Sequence, residues 1–319
     1  MPGSARAGTP NPRQRLACMA IGIGAVLTVA ACGSAAPAAQ HSLVAPTGGT
    51  TRTTPSPHAS VTKPPPEPRP EPRVIISRFR AADGSVVTLA LFRGPVLYRL
   101  HSGSADPGSA ALSVVRAGPS IGGRERGRLL AAFNGGFLLS AGAGGYEQEG
   151  HVIRTLQPGL ASVVIDKSGA PRIGVWGEGL PRPHETVFSV RQNLTLLVRH
   201  GHPTPLAADW AIWGATLGGG EYVARSALGE NAAGQLIYAG SMSTSPADLA
   251  AALVHAGART AMELDINPEW VQLDVARAPG HRLRAAIPGQ GRPANQYILG
   301  WTRDFFTVLA APSSAHVGS

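Results

Sequence analysis

The chain reads as an α+β fold: a mixed, largely antiparallel sheet with helices packed on it and at least one right-handed strand-helix-strand unit. Three observations predict this. Short apolar runs broken by Gly-, Pro- and Asp-containing turns recur from Val74 onward, which is the signature of hairpin-linked strands. One amphipathic helix is marked at both of its ends. That helix lies between two apolar runs, and such crossovers join parallel strands with a right-handed twist.

Taken in order, "VVTLALFRGPVLYRLHSG" gives two strands broken at Arg93-Gly94-Pro95, and "LLAAFNGGFLL" gives a strand running into Asn134-Gly135-Gly136. "ASVVIDKSGAPRIGVWG" is two strands around Asp166-Lys167-Ser168-Gly169, and "LTLLVRHGHP" and "ARSALGENAAGQLIYAGS" repeat the pattern. In "STSPADLAAALVHAGAR", Ser245 suits the N-cap, Pro246 the first helical position and Asp248 the first turn. Leu249, Ala252, Leu253 and Ala256 form one apolar face, and Gly257 suits a left-handed stop. Strands are expected before it, near Leu236 to Ala239, and after it, from Thr260 to Ile266.

The 319 residues divide by composition. Arg13 and Arg15 precede an uncharged stretch, Leu16 to Ala31, that ends in Val29-Ala30-Ala31-Cys32. A basic start, a short apolar core and small residues predict a signal peptide over residues 1–31. The stretch is short of the roughly 20 residues that span hydrocarbon, and its ending resembles the lipobox of bacterial lipoproteins, which implies acylation of Cys32. Residues 32–73 are rich in Pro, Ser, Thr and Ala and end in "KPPPEPRPEPR"; they read as a disordered stalk or leader. Residues 74–312 form the folded domain and residues 313–319 a disordered tail.

Composition also excludes chemistry. Cys18 and Cys32 are the only cysteines, so the domain has neither a disulfide nor a thiol nucleophile nor a thiolate metal site. The net charge is +9, or +6 once Arg6, Arg13 and Arg15 of the leader are removed. With no basic run or basic-aromatic interleaving, this charge favours an anionic envelope polymer and not a nucleic acid. His200 and His202 lack a third ligand nearby. "GATLGGGEY" lacks a phosphate-loop lysine, and Ser109, Ser226 and Ser241 lack the nucleophile-elbow pattern. Trp176, Trp213 and Trp301 read as core.

The segment "TAMELDINPEW", Thr260 to Trp270, concentrates the chemistry. On a strand, Glu263, Asp265 and Asn267 share one face and Met262, Leu264 and Ile266 the other, with same-face residues about 6.5–7 Å apart. Carboxyl groups at that spacing suit glycoside hydrolysis, which uses separations of roughly 5–9.5 Å. They equally suit a hard divalent cation, Ca²⁺ or Mg²⁺, with Asp265 and Glu269 as its oxygen ligands, or a solvated polar face.

The order "NGGF", "RQNLTLLV", "RSALGENAAGQLIYAGS", "SPADLAAALVHAGARTAMELD", "RDFF" resembles the phosphodiester glycosidase family, over about Leu129 to Val308. That family includes the enzyme that removes N-acetylglucosamine from a phosphodiester to uncover mannose 6-phosphate. The resemblance implies Asp265 and Glu263 as catalytic carboxylates and Arg225 as the phosphate-holding guanidinium. It implies Asn134, Gly135 and Gly136 as a sugar-accommodating turn, with Gln192 and Asn193 as further substrate contacts; Asn267 and Glu269 join them from the acidic segment itself. One departure stands out. The family follows its Leu-Asp with a glycine-rich, serine-containing turn, whereas Asp265 here is followed by Ile266-Asn267-Pro268-Glu269-Trp270. The expectation is a hydrolase lipid-anchored to the outer face of the bacterial cytoplasmic membrane, cleaving a sugar-1-phosphodiester in an envelope glycan. The alternative is a non-catalytic lipoprotein that binds glycan or a partner in the same cleft.

Overall fold

The apolar runs become the strands of three sheets. The computed structural model describes residues 71–215 and 219–312. The expected signal segment, Cys32 with its expected acylation, nearly all of the expected stalk and the tail after 312 therefore lie outside the described residues. Among the described residues, no helix is long and apolar enough to cross a membrane.

The first sheet has seven strands in the spatial order Val74–Arg80, Val86–Phe92, Leu236–Thr244, Val223–Asn231, Ala258–Glu263, Leu196–Arg199 and His202–Pro203. The second has five, in the order Leu283–Ala285, Leu273–Ala276, Leu129–Asn134, Phe305–Ala310 and Val96–His101. The third also has five, in the order His151–Arg154, Tyr146–Gln148, Val187–Gln192, Ala161–Asp166 and Pro171–Val175. Neighbouring strands in all three are antiparallel. The fold is α+β with the sheets dominating, and three sheets stand where the sequence suggested one.

The strand-helix-strand unit is present in near-adjacent form. Strands Leu236–Thr244 and Ala258–Glu263 both pair antiparallel with Val223–Asn231 between them, so they run parallel to each other. The helix joining them spans Pro246–His255. Its start follows from the sequence: Ser245 Oγ accepts the N–H of Asp248 at 3.1 Å and donates to the Asp248 carboxylate at 2.7 Å. Its end is set by Gly257 at φ +91°, a conformation in which a side chain would be strained.

Packing explains the burial pattern. One face of the seven-stranded sheet is covered by the helix, through Leu249, Leu253, Ala227, Ile237 and Trp213. The other face meets the remaining sheets in the main core, where Phe133 stacks on Phe92 at 5.7 Å and on Phe306 at 5.3 Å between ring centres. Leu129–Asn134 and Phe305–Ala310 are buried on both faces, which is why "LLAAFN" and "FFTVLA" are apolar almost throughout instead of alternating.

Because Ser245 alone caps that helix through a side chain, Ser245→Ala should cost about 1 kcal/mol. In a domain of this size that lowers Tm by roughly 2–4 °C, readable by circular dichroism.

Candidate functional site

The acidic segment lies where the first sheet ends. The strand stops at Glu263, but the chain stays extended for two more residues: Leu264 N–H donates to Ser226 O and Ser226 N–H to Asp265 O, each at 2.8 Å. Asp265 then closes a tight turn with its own side chain, Oδ1 accepting the N–H groups of Ile266 at 2.8 Å and Asn267 at 2.9 Å. Asn267 repeats the device, its Oδ1 accepting Glu269 N–H at 2.9 Å. Short polar side chains thus supply the contacts of this turn.

Leaving the strand breaks the expected alternation. Met262 and Leu264 do face the main core, but Ile266 and Asn267 both line one cavity together with Asp265. That cavity, about 530 Å³, is also walled by Phe137, Leu194, Ile212 and Arg303. Arg303 Nη1 meets Asp265 Oδ2 at 2.7 Å. Burial raises the Asp265 carboxyl to about 6, while Arg303 and the two turn N–H groups pull it down. A second cavity, about 390 Å³, combines Arg99, Arg124, Arg128 and Lys167 with Glu125, Glu149 and Asp166, so its charges largely cancel.

Glu263 and Arg225 form a separate pair. Both are fully buried, with Nη1 to Oε1 at 2.8 Å. Glu263 is cross-strand from Ala227, which belongs to the helix-covered face. Burial pushes the Glu263 carboxyl upward and Arg225 opposes that shift. Nη2 of Arg225 donates to Glu221 O at 3.3 Å. Neither residue lines the cavity. Arg225, expected to hold a phosphate, is thus turned into the protein, whereas Arg303 of "RDFF" lines the cavity.

The amides expected to hold sugar are committed to the protein. Asn134 Nδ2 donates to Gly135 O and Ser226 Oγ, both at 2.9 Å, and its Oδ1 accepts from the Tyr238 hydroxyl at 2.8 Å and Gln272 N–H at 3.1 Å. All four of its hydrogen-bonding positions are used. Gln192 is likewise filled by Gly145, Gln157 and Ser162. Asn193 ties Phe137 N–H, at 3.2 Å, to the carbonyls of Glu263 and Leu264, both at 3.0 Å. These side chains position the site without facing its space.

Gly135 and Gly136 make room for protein, not for a ligand. A Cβ on Gly135 would fall 1.9 Å from Asp304 Oδ2, and one on Gly136 would fall 2.9 Å from Arg191 Cζ. Those two side chains are themselves paired, Arg191 Nε to Asp304 Oδ2 at 2.7 Å, and both are buried. Glu269 is exposed and pairs with Arg292 at 3.0 Å. The oxygens proposed for a cation thus meet guanidinium groups: Asp265 meets Arg303 and Glu269 meets Arg292. Among the described residues, no three His, Cys, Asp or Glu side chains gather as a metal site. Gly135→Ala should cost about 1–3 kcal/mol or more, seen as a lower denaturation midpoint in urea, because the displaced carboxylate is buried and paired.

No protein-family model matches the chain, and no curated protein matches it in sequence. Among the solved structures that resemble it in fold are the following two. One is the catalytic domain of zebrafish N-acetylglucosamine-1-phosphodiester alpha-N-acetylglucosaminidase, auto-inhibited by its pro-peptide: 14% identity, TM-score 0.45, covering 75% of this chain and 82% of that one. The other is a hypothetical protein from Synechocystis: 12% identity, TM-score 0.43, covering 75% of this chain and 62% of that one. The relation is distant and at the level of fold.

Proposed function

We propose that the cavity at Asp265 hydrolyses a sugar-1-phosphodiester in a cell-envelope glycan, with the domain held by acylated Cys32 at the outer face of the bacterial cytoplasmic membrane. One observation carries this reading: Asp265, its carboxyl held at about 6, and Arg303 stand 2.7 Å apart on the wall of one cavity. A guanidinium matches two phosphate oxygens at once, and Arg303 is the one lining this space. The bond from the sugar C1 to the phosphate oxygen breaks with its electron pair leaving on the phosphate, whose negative charge Arg303 balances. A water oxygen bonds to C1, and its proton passes to the Asp265 carboxylate. Phosphate leaves readily, so no second carboxyl is required as acid, and Glu263 with Arg225 serves behind the wall. Asn267, on the same wall, takes a sugar hydroxyl through its amide nitrogen.

As a base, Asp265 must be ionised. Turnover should therefore rise with pH through about 6 and level off above it. The purified chain given a GlcNAc-1-phosphodiester should release free sugar. Asp265→Asn should lower the rate by about 10²–10⁴-fold, and Arg303→Met should raise KM. A cation-independent mechanism predicts no change on adding EDTA, Ca²⁺ or Mg²⁺. Sugar release that persists in Asp265→Asn removes the assignment.

A second reading, a non-catalytic lipoprotein binding glycan or a partner in the same cleft, is favoured by the withdrawal of Glu263 into its pair with Arg225. It predicts glycan binding that survives Asp265→Asn, with no phosphodiester turned over.

A further inference from the structure

Trp301 departs from its expected place in the core: it is 61% exposed. It also sits at φ +49°, in the left-handed region where a bulky residue costs on the order of 1–3 kcal/mol. Two penalties thus fall on one residue, a strained backbone and a large apolar ring left in water.

The loop is nevertheless held in this form. Gln296, buried, donates its side-chain amide to the carbonyls of Gly300 at 2.9 Å and Trp301 at 3.0 Å. On the other side Trp270, from the turn that follows Asp265, comes within 6.1 Å of Trp301 between ring centres, tilted by 45°. The Arg292 guanidinium lies 4.4 Å from the centre of Trp270 and 5.1 Å from that of Trp301. Glu269 anchors Arg292 through its carboxylate at 3.0 Å and its carbonyl at 3.1 Å. Both indoles are therefore fixed before any ligand arrives, and a fixed aromatic surface forfeits little entropy on binding.

This surface adjoins the cavity. Arg303, paired with Asp265 on the cavity wall, lies 5.5 Å from the centre of the Trp270 ring. A chain of contacts runs from Asp265 through Arg303 and Trp270 to Arg292 and Trp301. The face of an indole is electron-rich, and the axial C–H groups on one face of a pyranose are weakly positive and apolar, so the two stack. Arg292 and Glu269 at the edge offer a donor and an acceptor to equatorial hydroxyls.

We propose that Trp301, held beside Trp270 and Arg292, forms a saccharide-stacking subsite that binds a pyranose unit of a glycan chain next to the unit held at Asp265. The subsite deepens the reading of the cavity as a sugar-phosphodiester site and rests on it for the direction of the glycan. Its binding is separable from turnover.

The test uses β-linked tetrasaccharides without phosphate, chitotetraose and cellotetraose, which the proposed reaction cannot cleave. At least one should shift or quench the tryptophan emission of the full chain saturably. Trp301→Ala should weaken that binding at least tenfold, and Trp301→Phe by less than about threefold, because a phenyl ring keeps a stacking face. Trp301→Gly should abolish binding and leave Tm within about 3 °C, since glycine accepts this backbone without strain. The proposal is overturned if neither tetrasaccharide perturbs the emission or if Trp301→Ala binds like the parent chain. A fall of Tm well beyond that margin in Trp301→Gly also overturns it, because the ring would then be structural. Absent phosphodiester turnover with tetrasaccharide binding intact would remove the hydrolytic reading and keep the subsite. Turnover of a phosphodiester-linked oligosaccharide, long enough to reach the subsite, with a KM that ignores Trp301→Ala would do the reverse.

Discussion

Two adjacent residues of opposite charge tie the three sheets together. Arg303 and Asp304 lead into the second-sheet strand Phe305–Ala310. Arg303 reaches Asp265 at the end of the first sheet, and Asp304 reaches Arg191 in the third-sheet strand Val187–Gln192, each contact at 2.7 Å. All four side chains are buried. Withdrawing such charges from water costs several kcal/mol apiece, offset only when geometry and additional hydrogen bonds are good. Those additional bonds are present: Arg191 also donates to the carbonyls of Gln192 and Phe137, and Gly136 N–H donates to Asp304. Losing one partner would strand a buried charge, so the dipeptide constrains the register of every strand it touches.

The same constraint shapes the chemistry. Asp265 stands at the one point where its carboxylate is buried, held by two turn N–H groups and shared with a guanidinium that also faces a cavity. The surrounding amides are structural because a buried amide with an open position is expensive. Asn134 brackets the second sheet against the first, and Asn193 ties the loop at Phe137 to the end of the acidic strand. Asp265 and Arg303 share in this bracing and also line the cavity, together with Asn267, and Trp301 stands exposed in the residues just before Arg303.

Much of the fold was legible where the determinants are local. Ser245, Pro246, Asp248 and Gly257 mark the helix ends because a cap needs only the next few N–H groups. The alternation of Met262, Glu263 and Leu264 marks a strand because adjacent side chains must point to opposite faces. Other placements carry no local pattern, for equally physical reasons. A lone arginine in sequence does not announce its partner, so Arg225 seemed free while Glu263 waited across the sheet. A glycine pair signals close approach without saying of what, and here it is Asp304 and Arg191 that approach. Trp301 was read as core because most tryptophans are, whereas its loop turns the ring outward. Arg303 carried no local pattern beyond its place in "RDFF".

The sequence by itself determined the elements and their class: hairpin-linked strands, one capped helix, and an acidic segment ending a strand. These depend on contacts within a few residues along the chain. Only the tertiary structure decided which charges meet, that Asp265 pairs with Arg303 and Glu263 with Arg225, and which of them border a cavity. The partners lie 38 residues apart in both pairs, on different strands or loops. Whether a charge is spent inside the fold or left for a ligand depends on desolvation and distance after packing, and neither exists until the sheets have come together.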